Sequence, residues 1–182
     1  MVNAKGSSIP MDPGYLKARD NTPTVTEATY QKIIGSLLYL SVNTRPDISA
    51  PVAILSQHIV DTRKQDWIEL KRILRYLKAT QNYELQLSNR SSLIRELYGY
   101  ADANWAGSTK DRKSNSGYIF IFLGGTISWS CKKQECVSVS STEAEIVALA
   151  ETSREAVWLR KVLEFMDEEQ RSPTVINKDN QS

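Results

Sequence analysis

Three short acid-bearing runs stand out in this sequence: Tyr100-Ala-Asp102, Ser140-Ser-Thr-Glu-Ala-Glu145 and Lys178-Asp-Asn-Gln-Ser182. Each falls where a carboxylate would sit at the end of a strand or in the first turn of a helix. Carboxylate oxygens drawn from separate elements suit a hard divalent cation such as Mg²⁺, with Mn²⁺ as the alternative. Acids held that close repel one another unless a cation neutralises them. Two such ions about 3.5–4 Å apart can activate a water and stabilise the leaving oxygen of a phosphodiester. The candidate catalytic and metal-binding residues are therefore Asp102, Glu145 and Asp179. Taken singly, each has a plainer reading. Asp102-Ala-Asn104 is a turn-forming acid, Glu143 and Glu145 are first-turn acids favoured by the helix dipole, and Asp179 is a surface acid. The specificity lies in their order along the chain.

The elements that must position these acids can be read from periodicity. Residues 1–24, with Pro10, Pro13, Gly14 and Pro23, read as an extended lead-in. Three helices are then expected. The first is capped by Thr26 and carries Tyr30, Ile33, Ile34, Leu37 and Leu38 on one side. The second starts at Asp47 as cap and runs through Val52, Leu55 and Ile59, with Pro51 in its first turn. The third spans about Trp67 to Leu77, its Lys71, Arg72, Arg75 and Lys78 forming an exposed basic side. From Tyr83 the period changes to two, predicting strands over 83–88, 97–102, 117–123 and 126–132, with Gly124-Gly125 as a hairpin turn. The third of these is nearly all apolar, as for a strand buried on both sides. A long helix capped by Ser140 or Ser141 runs to about Met166, and a short strand over 174–176 leads into Asp179.

Bulk properties narrow the classes. With 182 residues, 41% hydrophobic and 24% charged, the chain has a globular composition, and its net charge of +2 provides no global attraction for nucleic acid. No apolar run reaches membrane-spanning length, so no membrane partner is expected. The start carries no apolar segment of a secretory signal, which points to the cytoplasm or nucleus. Cys131 and Cys136 are too few for a zinc site and read as thiols of a reducing compartment. Trp105 and Trp129 read as core residues rather than base-stacking platforms, and His58 as structural. Lys110, Arg112, Lys113, Lys132 and Lys133 form either phosphate contacts or a solvated basic loop. Ser114, Asn115 and Ser116 are candidate sensors of a 2′-hydroxyl.

Several blocks carry a resemblance. Tyr100-Ala-Asp-Ala-Asn-Trp-Ala-Gly107, Arg112-Lys-Ser-Asn-Ser-Gly-Tyr118, Ile127-Ser-Trp129, Lys132-Lys-Gln134, Ser140-Ser-Thr-Glu-Ala-Glu145 and Asp179-Asn-Gln-Ser182 resemble the ribonuclease H domain of copia-type retrotransposon Pol polyproteins. Upstream, Tyr30-Gln-Lys-Ile-Ile-Gly-Ser-Leu-Leu-Tyr39, Thr44-Arg-Pro-Asp-Ile48 and Lys71-Arg-Ile-Leu-Arg-Tyr-Leu-Lys-Ala-Thr80 resemble the segment connecting that family's reverse transcriptase to its ribonuclease H. The resemblance implies a helical connection segment over 25–92 and a truncated ribonuclease H-like domain over 93–182. The implied fold is a mixed α/β one: three antiparallel strands plus a parallel strand, with the last strand and helix beyond Ser182. The implied activity is hydrolysis of RNA in an RNA–DNA hybrid by two Mg²⁺ ions during reverse transcription, inside a virus-like particle and alongside the rest of the polyprotein. Asp102 and Asp179 match the family's first and third acids, and Glu145 is favoured over Glu143 as the second. The fourth acid lies past the Asp-Asn-Gln block, where this sequence stops. The implied substrate contacts are Arg112, Lys113, Ser114 and Asn115. The alternative is a non-catalytic module or adopted effector that binds nucleic acid or a host protein.

Overall fold

A computed structural model describes residues 4–25, 28–87, 95–104 and 111–178. They fall in two units, Met1–Glu84 and Leu85–Ser182. The border expected at residues 92–93 lies outside the described residues.

The first unit is helical. Helices α1 (Tyr15–Arg19), α2 (Ala28–Asn43), α3 (Ser49–Ser56) and α4 (Lys64–Ala79) enclose a core of Tyr30, Ile34, Leu37, Val52, Leu55, Leu70 and Ile73. On α2 the buried residues Tyr30, Ile34, Leu37 and Ser41 recur every three to four positions, the period that places them on one side of a helix. The cap expected at Thr26 lies outside the described residues. The expected extended lead-in instead carries α1, and its Tyr15 is buried. The reason is electrostatic. Asp66 of α4, fully buried, accepts bonds from Tyr15 Oη (2.6 Å), Arg19 Nε (2.8 Å) and the Arg63 backbone N–H (2.8 Å). Three donors on one carboxylate offset its desolvation and fasten the segment to the helix. Glu69, also buried, receives the Asp12 N–H (3.0 Å) and pairs with Arg72 (2.9 Å), so part of the expected exposed basic side is engaged inside the fold.

Asp47 is not a helix cap. It sits in the 3₁₀ turn Pro46–Ile48, and α3 follows with no side-chain cap bond and stops at Ser56, short of Ile59. The carboxylate is drawn instead to Arg45, at 2.9 and 2.7 Å, and to Tyr76 Oη at 2.8 Å. These stronger charge-assisted partners outcompete a cap.

In the second unit the four strands are β1 (Tyr98–Asn104), β2 (Asn115–Phe122), β3 (Gly125–Lys133) and β4 (Val175–Asn177), and the helix is α5 (Ser141–Phe165). The sheet order is β3-β2-β1-β4, antiparallel except for the parallel β1–β4 pair. This is the expected ribonuclease H-like mixed sheet. Residues 83–87, expected to begin a strand, are in no strand. The hairpin turn is Leu123-Gly124, both with positive φ (51° and 77°), one residue earlier than expected. Two positive φ values give the turn twist that matches paired strands. Helix α5 packs on one sheet face, where Leu97, Phe120 and Phe122 meet Ala156, Leu159 and Leu163. The expectation of burial on both faces fails for β2, because Ile119 and Ile121 on the other face are only half-buried.

After α5, two side chains direct the chain back beside β1. Arg160 donates to Ser172 O (2.8 Å), Thr174 Oγ1 (3.0 Å) and Gln170 O. Gln170 accepts the Leu97 N–H (2.8 Å) and donates to Arg95 O (3.1 Å). The loop is thereby pinned to the start of β1, which aligns Val175 with Tyr98.

The Asp47 cluster has a pH signature. Burial pushes its carboxyl up, but the hydrogen bonds from Arg45 and Tyr76 outweigh that and hold it below the ordinary 3.8. A depressed folded value means that stability is fully present above 3.8 and is lost as pH falls below it. Urea unfolding followed against pH should show a steeper acid decline for the native chain than for Asp47→Asn.

Candidate functional site

Glu145 is bonded to the peptide unit that follows Asp102. Along β1, Gly99 and Ala101 are buried on the α5 side, so alternation turns Asp102 to the opposite face, where it is exposed. The pairing of β4 with β1 stops at Tyr100, leaving the far end of β1 clear of that strand. Glu145 reaches this end from the first turns of α5. Its Oε1 accepts the N–H of Ala103 at 3.3 Å, the peptide that follows Asp102. Glu145 is 6% exposed.

Glu143 does different work. Ser140 Oγ accepts the Glu143 N–H (3.1 Å), and the Glu143 carboxylate accepts the Val139 N–H (2.6 Å). It is thus a helix-start residue of the capping kind, satisfying amides that would otherwise lack partners. Of the two glutamates, Glu145 is the one brought to β1. Asp179 lies outside the described residues.

The register between α5 and the sheet is held by Gln134, 2% exposed, whose role the sequence reading missed. Its Nε2 donates to Ser116 Oγ (2.8 Å) and Ala144 O (2.9 Å), and its Oε1 accepts from Ser138 Oγ (3.0 Å). Its backbone N–H donates to Ser114 O (2.8 Å). One amide thereby joins β2, the segment after β3, and the residue preceding Glu145. A glutamine immediately after a basic strand end carries no periodic signal, so only the fold reveals it.

The expected substrate contacts separate. Arg112 is exposed and holds a left-handed φ of 59°. Lys113 is half-buried, its N–H donating to Asp111 (3.3 Å), and Asp111 pairs with Lys133 at 2.8 Å. Ser114 is fully buried and Ser116 is 4% exposed, so both serve the interior rather than a ligand. Asn115 starts β2 opposite Asn104, on the same face as Asp102. Lys132 pairs with Glu151 at 3.3 Å. Trp105 and Lys110 lie outside the described residues. Burial raises the Cys131 thiol above its ordinary pKa, and the charge of Asp102 adds to the effect.

An apolar cavity of about 510 Å³ lies elsewhere, between the β2–β3 turn and the far part of α5, with Phe122, Trp158 and Met166 in its lining. With Trp158 thirteen residues past Glu145 on α5, it lies about 20 Å away at 1.5 Å per residue. It has no part in the acid site. Among the described residues no cluster of three or more His, Cys, Asp or Glu is assembled, and no helix is long and apolar enough to cross a membrane.

The mixed four-stranded sheet with α5 packed on one face is consistent with a ribonuclease H-like fold. Comparison with known proteins specifies the lineage. The chain is 39% identical over 183 residues to the Retrovirus-related Pol polyprotein from transposon TNT 1-94 of Nicotiana tabacum, covering 96% of this chain and 14% of that one. It is 42% identical over 182 residues to the corresponding polyprotein from transposon RE1 of Arabidopsis thaliana, covering 99% of this chain and 12% of that one. It is also 48% identical over 130 residues to the Secreted RxLR effector protein 161 of Plasmopara viticola, covering 71% of this chain and 90% of the effector. No family model and no solved structure matches. The chain belongs to the copia-type retrotransposon Pol family and spans about an eighth of the length of those polyproteins.

The Gln134 amide is the vulnerable point of the site's frame. Gln134→Ala removes three buried side-chain hydrogen bonds, to Ser116 Oγ, Ala144 O and Ser138 Oγ, which should cost about 2–3 kcal/mol. Urea denaturation of the two proteins measures it; a change under about 0.5 kcal/mol would mean that water replaces the amide without loss.

Proposed function

We propose that the unit Leu85–Ser182 is a metal-dependent nuclease that hydrolyses the RNA strand of an RNA–DNA hybrid, as the ribonuclease H part of a retrotransposon Pol polyprotein. In this reading Met1–Glu84 is the connection to the reverse transcriptase. The observation that carries it is the Glu145 carboxylate on the peptide following Asp102. The donors suit the cation: both are carboxylates, hard oxygen ligands of the kind Mg²⁺ prefers, and Asp179 would add a third. When bound, two Mg²⁺ ions would supply an activated water and stabilise the leaving oxygen. The chain's own contribution is to fix the two acids. The β1 backbone orients Glu145, the Ser140 cap and Gln134 fix the start of α5, and Asp102 faces the accessible side. In this reading Arg112, Lys113 and Asn115, at and just before the start of β2, contact phosphate and sugar.

Incubation of the chain with a labelled RNA–DNA hybrid and Mg²⁺ or Mn²⁺ tests the reading. Cleavage should be confined to the RNA strand and stop on chelation. Asp102→Asn and Glu145→Gln should each lower it by about a hundredfold or more, while Glu143→Gln retains most of it. A folded chain that leaves the hybrid intact with either metal would sink the proposal.

One observation favours a second reading. The similarity to a secreted effector covers 90% of that effector, a protein much shorter than the Pol relatives. The same fold then serves as a binding module for nucleic acid or a host protein. Hybrid binding that needs no divalent metal and yields no cleavage would favour it.

A further inference from the structure

Strand interiors are unfavourable places for glycine, which loses the most backbone freedom on folding and offers no side chain to pack. Three glycines nonetheless lie in the strands: Gly99, Gly117 and Gly125. Two are required by packing. A Cβ on Gly99 would stand 2.7 Å from the Phe120 ring and 3.1 Å from Ile119 O, and one on Gly125 would stand 2.4 Å from Gln86 O. Gly117 differs. Among the described residues a Cβ there meets only Ser130 O, at 3.7 Å, which is ordinary contact. Nor is it kept for conformation, since its φ is not in the left-handed region. Neither packing nor backbone geometry explains it.

Its place in the sheet does. Gly117 pairs with Asp102 on one side and Cys131 on the other, so the three form one row on the face away from α5. Directly paired residues hold their Cβ positions about 5 Å apart. A side chain at 117 would therefore stand in the space that a group bound at the Asp102 carboxylate must enter. Along β2 the same face carries Asn115, beside Lys133, on one side of the gap and Ile119 on the other. The gap is thus bounded by a hydrogen-bonding group and the Lys133–Asp111 ion pair at one end and an apolar side chain at the other. That is the polarity a sugar–phosphate strand presents between its phosphates and its bases.

We propose that Gly117 is a clearance residue: its missing side chain opens the floor beside Asp102 to the backbone of the nucleic-acid strand being cut. This rests on the nuclease reading above.

The decisive variant is Gly117→Ala in the full chain, compared with the native chain in three measurements: thermal melting, hybrid affinity with Ca²⁺ in place of Mg²⁺, and hybrid cleavage with Mg²⁺. Melting should be equal or higher, because alanine is the better strand residue, while affinity and cleavage fall by about tenfold or more. Unchanged affinity and cleavage would overturn the inference and leave the nuclease reading standing. A substantially lower melting temperature would also overturn it, since packing would then require the glycine. A folded native chain that neither binds nor cuts the hybrid removes both readings together. An independent probe needs no substitution at 117. In a Cys136→Ser background, bound hybrid should slow maleimide alkylation of Cys131 several-fold, and an unprotected thiol in a hybrid-saturated sample would contradict the strand's passage over this row.

Discussion

The placement of Glu145 depends on one buried amide. Glu145 reaches β1 only because the first turn of α5 is held against the sheet, and Gln134 supplies that hold through Ala144 O, Ser116 Oγ, Ser138 Oγ and Ser114 O. A primary amide fits the place because it has two donors and an acceptor on one rigid plane. An apolar residue of equal size would fill the volume but make none of these side-chain bonds. The Ser140 cap fixes where the helix begins, and Gln134 fixes where that beginning lies against the sheet. The two constraints together determine which glutamate arrives at Ala103.

Polar groups organise the helical unit in the same way. Its core is apolar, yet Asp66 and Glu69 lie fully buried on α4 and gather donors from residues more than forty positions away. Buried carboxylates are costly unless every oxygen is engaged, so they tolerate few arrangements. That intolerance is why the N-terminal segment has a defined path rather than an extended one. The Arg45–Asp47–Tyr76 cluster likewise decides how the chain leaves α2.

Local signals were readable where they agreed with tertiary demands. The 25-residue α5, its Ser140 cap, the antiparallel strands around the hairpin and the final short strand all follow from periodicity and turn chemistry. Local pattern misled where a competing partner, a missing neighbour strand or an interior network decided the outcome. Asp47 looks like a cap by type and position, but Arg45 and Tyr76 claim its oxygens. Residues 83–87 alternate like a strand, yet no described strand pairs with them; alternation permits a ladder without providing a neighbour. Ser114 and Ser116 look like surface polar residues in sequence, and the Gln134 network buries them.

The sequence by itself determined the ordering of helices, strands and acids, since spacing, capping residues and hydrophobic period are local properties of the chain. Membership of the Pol lineage was legible for the same reason: blocks of side chains in fixed order survive without reference to geometry. Which glutamate touches β1, which serines are interior, and which strand glycine has no packing reason were decided only in three dimensions. Those outcomes hang on hydrogen bonds and close contacts between residues far apart in the chain, and no local pattern encodes a partner it does not contain.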